Sequence, residues 1–288
     1  MTHCKSRTLI RPRPSWILQF LLSLALAGVV SADAGDSSSD ALPDTVEQGE
    51  LGSGVVRPAT LEVVPAPANP VRAGESLHFS VQYGVIHAGS AYLEVPEVRD
   101  WNGHSVFSLV ARAESNSFFS HFYRVRNRIE SYWDKAGLYS WRYTESRREG
   151  KFKARSIVNF DYSLHQAHYD DGKTYPIPPQ VQDALSAFYY TRFQPLPIGG
   201  SIVFDYHASR KSQPLEVKIL GREHVRTPAG EFNCIAIEPI LKAGGIFKNK
   251  GRLVIWITDD DRRIPVLMRS KVMIGSISVV LQEAKTGA

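Results

Sequence analysis

Short stretches in which apolar and polar residues alternate, separated by tight turns, dominate this chain. A period of two places the apolar side chains on one face of a strand. Phe79, Val81 and Tyr83 show it clearly, and similar stretches recur as far as residue 283. Connections such as Asn102-Gly103 are too short for parallel strands, which need a crossover of about a dozen residues. We therefore predict an all-β, mainly antiparallel fold.

One segment departs from this alternation. Between residues 179 and 193 the apolar residues, among them Val181, Leu185 and Phe188, recur at helical spacing. We predict a large curved sheet or half-open β-barrel of about 10–12 strands. One amphipathic helix, at about 179–193, should pack on the concave face, because the apolar face of an open sheet has to be covered.

The N-terminus has the order of a secretory signal peptide. Basic residues precede an apolar run that begins at Trp16, and small residues follow as far as Ala32. The run is about 15 residues long, whereas a membrane span needs about 20. We expect cleavage near Ala32, an exported periplasmic protein and no transmembrane segment afterwards. An uncleaved N-terminal anchor is the alternative.

Charge and composition divide the rest of the chain. Residues 33–70 are acidic, rich in Ser, Pro and Gly, and without aromatic residues, which predicts a flexible leader. Residues 71–288 should form a single β domain, long enough to bury a core. The full chain carries 34 basic and 29 acidic residues, but the signal peptide contains four of the bases and no acid. The excess after cleavage is therefore small, and we predict no nucleic-acid partner.

The second half of the domain resembles a known family. Its order of motifs, VQDALSAFYYTRFQPLPIGG, VRTPAGEFNCIAIEPIL and then GRLVIWITDDDRRIPVLMRSK, resembles bacterial exported proteins grouped as domain of unknown function 3108. The residues that carry the likeness are Asp183, Leu185, Ser186, Tyr189, Arg192, Gly199, Thr227, Pro228, Gly230, Phe232, Cys234, Trp256, Asp260, Arg263, Pro265 and Val266. The pattern is also similar, at the level of the fold, to the half-barrels of periplasmic lipoprotein carriers. Neither likeness implies a reaction.

A binding role is the first of three hypotheses. Aromatic residues gather around the helix and the early strands, where they form a core or line a pocket for a lipid or acyl chain. The candidate ligand-binding residues are Phe79, Tyr83, Phe188, Tyr189 and Phe193. The second hypothesis is an envelope scaffold or assembly factor that binds another protein. The third is an envelope hydrolase acting on glycan or lipid with acids such as Asp183 or Asp205.

The remaining chemistry is sparse. No Gly-x-Ser-x-Gly motif and no Cys/His cluster occur, so we assign no catalytic residue, no metal site and no cofactor. Cys234 stands alone in an alternating run, which favours a buried, inert thiol. Arg124, Arg126 and Arg128 share one face if their segment is a strand. That face is either solvated or a site for an anionic group such as a lipid headgroup.

Overall fold

A computed structural model describes residues 61–241, 252–271 and 275–287. The predicted signal peptide, residues 1–32, and residues 33–60 of the predicted leader lie outside these ranges. Within the described residues the chain forms seventeen strands and two helices. The helices are α1 (Ser117–Phe122) and α2 (Ser186–Arg192).

The strand bounds follow the alternation of the sequence. They are β1 (Val63–Val64), β2 (Glu75–Tyr83), β3 (Ile86–Val95), β4 (Val98–Trp101), β5 (His104–Ser115), β6 (Val125–Asp134), β7 (Ser140–Glu149), β8 (Phe152–Asp161), β9 (Gln166–Tyr169), β10 (Thr174–Pro176), β11 (Leu196–Pro197), β12 (Ser201–Ala208), β13 (Lys211–Thr227), β14 (Gly230–Leu241), β15 (Leu253–Thr258), β16 (Pro265–Lys271) and β17 (Ser276–Lys285).

Fifteen strands form one antiparallel sheet. The order is β10-β9-β8-β7-β6-β5-β3-β2-β17-β16-β15-β14-β13-β12, with β4 added beside β5. The last strand therefore pairs with the first long one, and β10 and β12 are left as edges. The prediction of a large, curved, open antiparallel sheet is confirmed. The strand count is higher than expected because strands such as β4, β9 and β10 are too short to show alternation.

The turns between strands lie at two opposite ends of the sheet. The upper rim consists of residues 84–85, 116–124, 150–151, 170–173 and 209–210. The lower rim consists of residues 102–103, 135–139, 162–165, 228–229 and 259–264. Helix α2 lies toward the lower rim, because its Arg192 side chain contacts both Glu75, at the start of β2, and the backbone of Arg262.

The helix begins later than predicted. We expected it at about 179–193, but α2 starts at Ser186. The preceding segment is extended because it pairs with the edge of the sheet: Gln182 N–H donates to the Asp205 carbonyl at 2.9 Å, and His207 N–H donates to the Gln182 carbonyl at 2.8 Å. Pairing with an open strand edge therefore outweighs the helical spacing at Val181.

Residues 61–70, which the composition places in the flexible leader, belong to the fold. Strand β1 pairs with β11. Glu62 accepts hydrogen bonds from Arg222, with both distances at 2.8 Å. The domain therefore includes the last part of the predicted leader, because an edge pairing and an ion pair fix residues whose side chains bury little apolar area.

Helix α1 was not predicted by the periodicity. Its six residues are too few to establish a helical period. The Asn116 side chain caps it by accepting the Phe119 N–H at 2.9 Å, and none of its residues is buried. No helix within the described residues has the length and apolar character needed to cross a membrane.

Candidate functional site

A cavity of about 200 Å³ lies on the concave face, between strands β7–β9 and the hairpin of β12 and β13. It extends from Tyr143 and Ala184, in the middle of the fold, to Phe152 and Arg210 at the upper rim. Apolar side chains of β8 lie beside charged and polar side chains of the neighbouring strand β7, and residues of the hairpin complete the lining. The lining residues are Tyr143, Glu145, Arg147, Phe152, Ala154, Ser156, Val158, Phe160, Tyr169, Ala184, His207, Ala208, Ser209 and Arg210.

Strand β7 supplies the charged part of this lining. Side chains alternate along a strand, so Tyr143, Glu145, Arg147 and Glu149 all face the concave side. The Arg147 guanidinium donates to both carboxylate oxygens of Glu149 at 3.0 Å. Asn127, on the neighbouring strand, donates to the same carboxylate at 2.7 Å. Glu149 is 1% exposed, so protein groups rather than water stabilise its charge.

Glu145 and Tyr143 are far less well satisfied. The nearest cation to Glu145 is Arg147, whose Nε lies 3.8 Å from Oε1, and no hydrogen bond reaches the carboxylate from the described residues. Burial raises the pKa of Glu145 to about 7, with Glu149 adding to the rise and Arg147 opposing it. The buried Tyr143 hydroxyl also has no hydrogen-bond partner among the described residues. Two polar groups in the cavity wall therefore retain hydrogen-bonding capacity.

A chain of hydrogen bonds joins the two edges of the sheet beside the cavity. The backbone N–H of Arg210 donates to the Tyr169 hydroxyl at 3.0 Å, and that hydroxyl donates to His207 Nε2 at 2.9 Å. His207 Nδ1–H donates to Ser212 Oγ at 2.8 Å, and the serine donates to the Pro176 carbonyl at 3.1 Å. Burial lowers the pKa of His207 to about 4, so the imidazole is neutral, as this donor order requires. Side chains thus connect the edge strands β10 and β12, which are not paired through their backbones.

A buried polar network fixes the start of α2. One carboxylate oxygen of Asp183 accepts the N–H groups of Leu185 and Ser186 at 2.8 and 2.9 Å, and the other accepts the Ser131 hydroxyl at 2.5 Å. Ser186 Oγ in return accepts the Asp183 N–H at 2.9 Å, the reciprocal arrangement of a capping box. Burial raises the pKa of Asp183, and these hydrogen bonds oppose the rise. The carboxylate named as a candidate acid therefore caps a helix.

Two buried arginines fasten the other end of α2. Arg192 binds both carboxylate oxygens of Glu75 at 2.7 Å and donates to the carbonyls of Pro70 and Arg262. Arg263 donates to the carbonyls of Arg192, Gln194 and Pro65. These contacts join α2, the segment before β2 and the lower rim. The two arginines that carry part of the family resemblance therefore have structural partners.

The five aromatic residues predicted to bind a ligand lie outside the cavity lining. Phe79 and Tyr189 are fully buried, and Phe188 is half-buried against the core. Phe193 packs edge-on against Trp133, with ring centroids 5.3 Å apart. Tyr83 ends β2 at the upper rim. Their role as ligand contacts stays a prediction.

The three arginines predicted to bind an anionic group are exposed at the convex side of β6. Arg126 and Arg128 lie within the strand and share a face, whereas Arg124 precedes it. Arg128 is paired with Glu130, with its Nη2 atom 2.5 Å from Oε1. None of the three arginines lines the cavity, so an anion bound by them would lie on the opposite face of the sheet from the cavity.

Sequence reasoning missed the charged cluster of β7. The segment Tyr143-Thr144-Glu145-Ser146-Arg147-Arg148-Glu149 is polar on both faces, so alternation gives no sign of which face is buried. The signal that was available is the i, i+2, i+4 series of Glu145, Arg147 and Glu149. Such a series places two carboxylates and one guanidinium on one face of a strand.

The fold is a large, open, curved antiparallel sheet. Its concave face carries a small cavity that is lined by both apolar and polar side chains. The chain belongs to the family described as protein of unknown function (DUF3108), which it matches over residues 78–282. No curated protein matches the sequence.

Three solved structures are similar in fold. A β-barrel-like protein of domain of unknown function DUF1849 from Brucella abortus is 7% identical, with a TM-score of 0.46 over 79% of this chain and 100% of that one. A candidate lipoprotein from Parabacteroides distasonis is 10% identical, with a TM-score of 0.34 over 77% and 99%. A candidate exported protein with a YmcC-like fold from Bacteroides fragilis is 14% identical, with a TM-score of 0.28 over 77% and 100%.

Proposed function

We propose that this chain is an exported cell-envelope protein that binds an amphipathic ligand, such as a lipid or acyl chain, in the concave cavity. The observation that carries the proposal is that apolar side chains and two polar groups without hydrogen-bond partners among the described residues line one cavity. Val158 and Phe160 offer apolar contact, and the Glu145 carboxyl offers hydrogen bonds, while the Tyr143 hydroxyl is buried in the wall without a partner among the described residues. The N-terminal signal pattern supports export.

The volume limits how much of a ligand the cavity holds. At about 200 Å³ it is smaller than the roughly 300–1,000 Å³ of pockets that enclose a drug-sized molecule. A lipid-sized ligand would therefore insert only one end. The rest would extend toward Phe152 and Arg210, because the lining reaches the surface at the upper rim.

The two other hypotheses have less support from the geometry. A scaffold that adds a strand to its partner needs a long free edge, whereas β10 has three residues and contains Pro176. Gln182 pairs with the other edge, at Tyr206. A hydrolase needs a second carboxylate beside Glu145, but Glu149 is held by Arg147 and Asn127 and does not line the cavity.

Native mass spectrometry with solvent extraction tests the binding role. Protein expressed from the full chain and purified from the exported fraction should carry a lipid-sized adduct. Ser156→Phe places a ring in the cavity and should abolish the adduct. Asn159→Phe places the same ring on the outer face of the same strand and should retain it. A bare wild-type protein, or equal occupancy in both variants, would contradict the proposal.

Phe188→Asp tests the aromatic residues predicted from the sequence. Phe188 is half-buried and lies outside the cavity lining, so a ligand confined to the cavity should survive this change in protein that remains folded. Loss of the adduct would move the ligand to the face of α2. Circular dichroism of the purified variant distinguishes that result from unfolding.

A further inference from the structure

The upper rim carries a cluster of exposed apolar side chains. In helix α1, Phe118 is 63% exposed and Phe122 is 78% exposed, and their ring centroids lie 5.6 Å apart. Neither ring packs into the core, although burial of a Phe side chain is favourable. The described residues therefore leave both rings available for an apolar contact.

The turn between β2 and β3 adds to the same surface. Val85 is 99% exposed and Ile86 is 52% exposed. Asn116, which caps α1, joins the two loops: its side chain donates to the His87 carbonyl at 2.7 Å, and its N–H donates to the Ala88 carbonyl at 2.9 Å. These four apolar residues make up half of the eight large exposed hydrophobic residues among those the structure describes. The others are Leu61, Val63, Leu164 and Val203.

Basic residues lie beside this apolar cluster, on the side of α1. The Gly150 N–H donates to the Arg124 carbonyl at 2.8 Å, which brings the turn that carries Lys151 beside the end of α1. Across the convex face Arg126 pairs with Arg148, and Arg148 pairs with Lys153, so three cations form a row next to the rim.

The charge of this surface is not balanced within the protein. Among the described residues, no ion pair involves any of the five cations, Arg124, Arg126, Arg148, Lys151 and Lys153. The one carboxylate in the row is Glu114, opposite Arg126. Exposed apolar side chains bordered by unpaired cations are the combination that binds the interface of an anionic bilayer.

We propose that the upper rim docks on an anionic lipid bilayer, with Phe118, Phe122, Val85 and Ile86 in the interfacial region and the row of cations on the headgroups. This surface consists of rim residues and the adjoining row of cations, and it does not require a ligand in the cavity. It does place Phe152 and Arg210, where the cavity reaches the surface, next to the membrane. A docked bilayer would then supply or receive the amphipathic ligand of the proposed function.

Vesicle co-sedimentation tests the docking surface. The protein should bind vesicles made of equal parts phosphatidylcholine and phosphatidylglycerol. It should bind much more weakly to vesicles of phosphatidylcholine alone. Each exposed Phe should contribute about tenfold to partitioning, so Phe118→Ser with Phe122→Ser should lower it by roughly a hundredfold. Each cation should contribute about fivefold, so Arg126→Ala with Arg148→Ala should lower it by roughly 25-fold, and high salt should have the same effect.

Matched controls lie at the lower rim. Leu164 is 60% exposed, and Leu164→Ser removes a comparable apolar side chain there. Arg226→Ala removes an exposed cation from the same end. Both variants should bind anionic vesicles as the wild type does. Wild-type protein that binds neither vesicle, or binding that the rim and control substitutions weaken equally, would overturn the inference.

Two further outcomes separate this inference from others. Self-association that is lost in the Phe118→Ser, Phe122→Ser variant, without binding to vesicles, would assign the rim to a contact between copies of the chain and overturn the membrane assignment. The cavity adduct is measured separately in solution. Absence of the adduct from wild-type protein that binds vesicles would overturn the proposed function alone, and failure of vesicle binding while the adduct persists would overturn the docking surface alone.

Discussion

Replacing Glu145 by glutamine should stabilise the protein at alkaline pH and leave its stability unchanged in acid. The folded protein raises the pKa of this carboxyl from 4.5 to about 7, chiefly through burial. A raised folded pKa favours folding below about pH 4.5, and this contribution is lost as the pH rises through about 7. At about 1.4 kcal/mol per pKa unit, the ionised carboxylate costs roughly 3 kcal/mol at high pH.

Urea unfolding at about pH 8 and about pH 4 measures this difference. Glutamine keeps the shape of the side chain but has no charge to desolvate, so the gain of roughly 3 kcal/mol should be found only at the higher pH. Glu149→Gln is the informative contrast: it breaks a buried pair with Arg147 and should lose about 3–5 kcal/mol. Glu130→Gln, on the exposed face, should change stability by less than about 1 kcal/mol. A loss of stability in Glu145→Gln at about pH 8, or an equal gain at both pH values, would refute the reasoning.

Three more predictions concern buried groups. Glu75→Gln leaves the buried Arg192 charge without its carboxylate and should lower the free energy of unfolding in denaturant by about 3–5 kcal/mol. Glu75→Leu combined with Arg192→Met should cost less than the sum of the two single changes. Strict additivity would show that the pair is not coupled. The folded pKa of His207 is about 4 against 6.5 unfolded, so stability should fall by roughly 3 kcal/mol as the pH drops through this window. The fall is best measured in Glu145→Gln protein, because Glu145 titrates in the opposite sense over the same range, and it should vanish when His207→Gln is added. Cys234 is fully buried, and burial raises its pKa to about 12. Iodoacetamide should therefore label the unfolded chain but not the native protein, as measured by intact mass spectrometry. An adduct on the native protein would show that β14 opens.

Alternation and turn chemistry were sufficient to predict the antiparallel sheet, because each is a local property. Strand order and the pairing of β17 with β2 depend on contacts between distant residues, so neither periodicity nor turn type could specify them. The helix shows the limit most clearly. Val181 and Leu185 fit a helical period, but Gln182 lies beside an open strand edge, and two backbone hydrogen bonds to that edge set the helix start at Ser186 instead.

The candidate cavity was harder to predict than the fold for a related reason. Aromatic residues such as Phe79 and Tyr189 attract attention in the sequence, yet an apolar residue that packs well is expected to be buried. The informative residues are buried polar ones, and burial of Glu145 or His207 depends on strands that are distant in sequence. Their charge alone cannot distinguish a cavity wall from a solvated face.

The groups that fix α2 differ from Glu145 and the rim phenylalanines in how many partners they have. Toward the lower rim, the carboxylates of Asp183 and Glu75 and the guanidinium of Arg263 each have several partners, which is the arrangement that stabilises a fixed helix. Toward the upper rim, Glu145 remains without a hydrogen bond from the described residues, and the rings of Phe118 and Phe122 remain exposed. Groups that reduce stability persist where they serve binding. The end of the barrel that α2 does not fill is therefore where a ligand and a membrane surface should be sought.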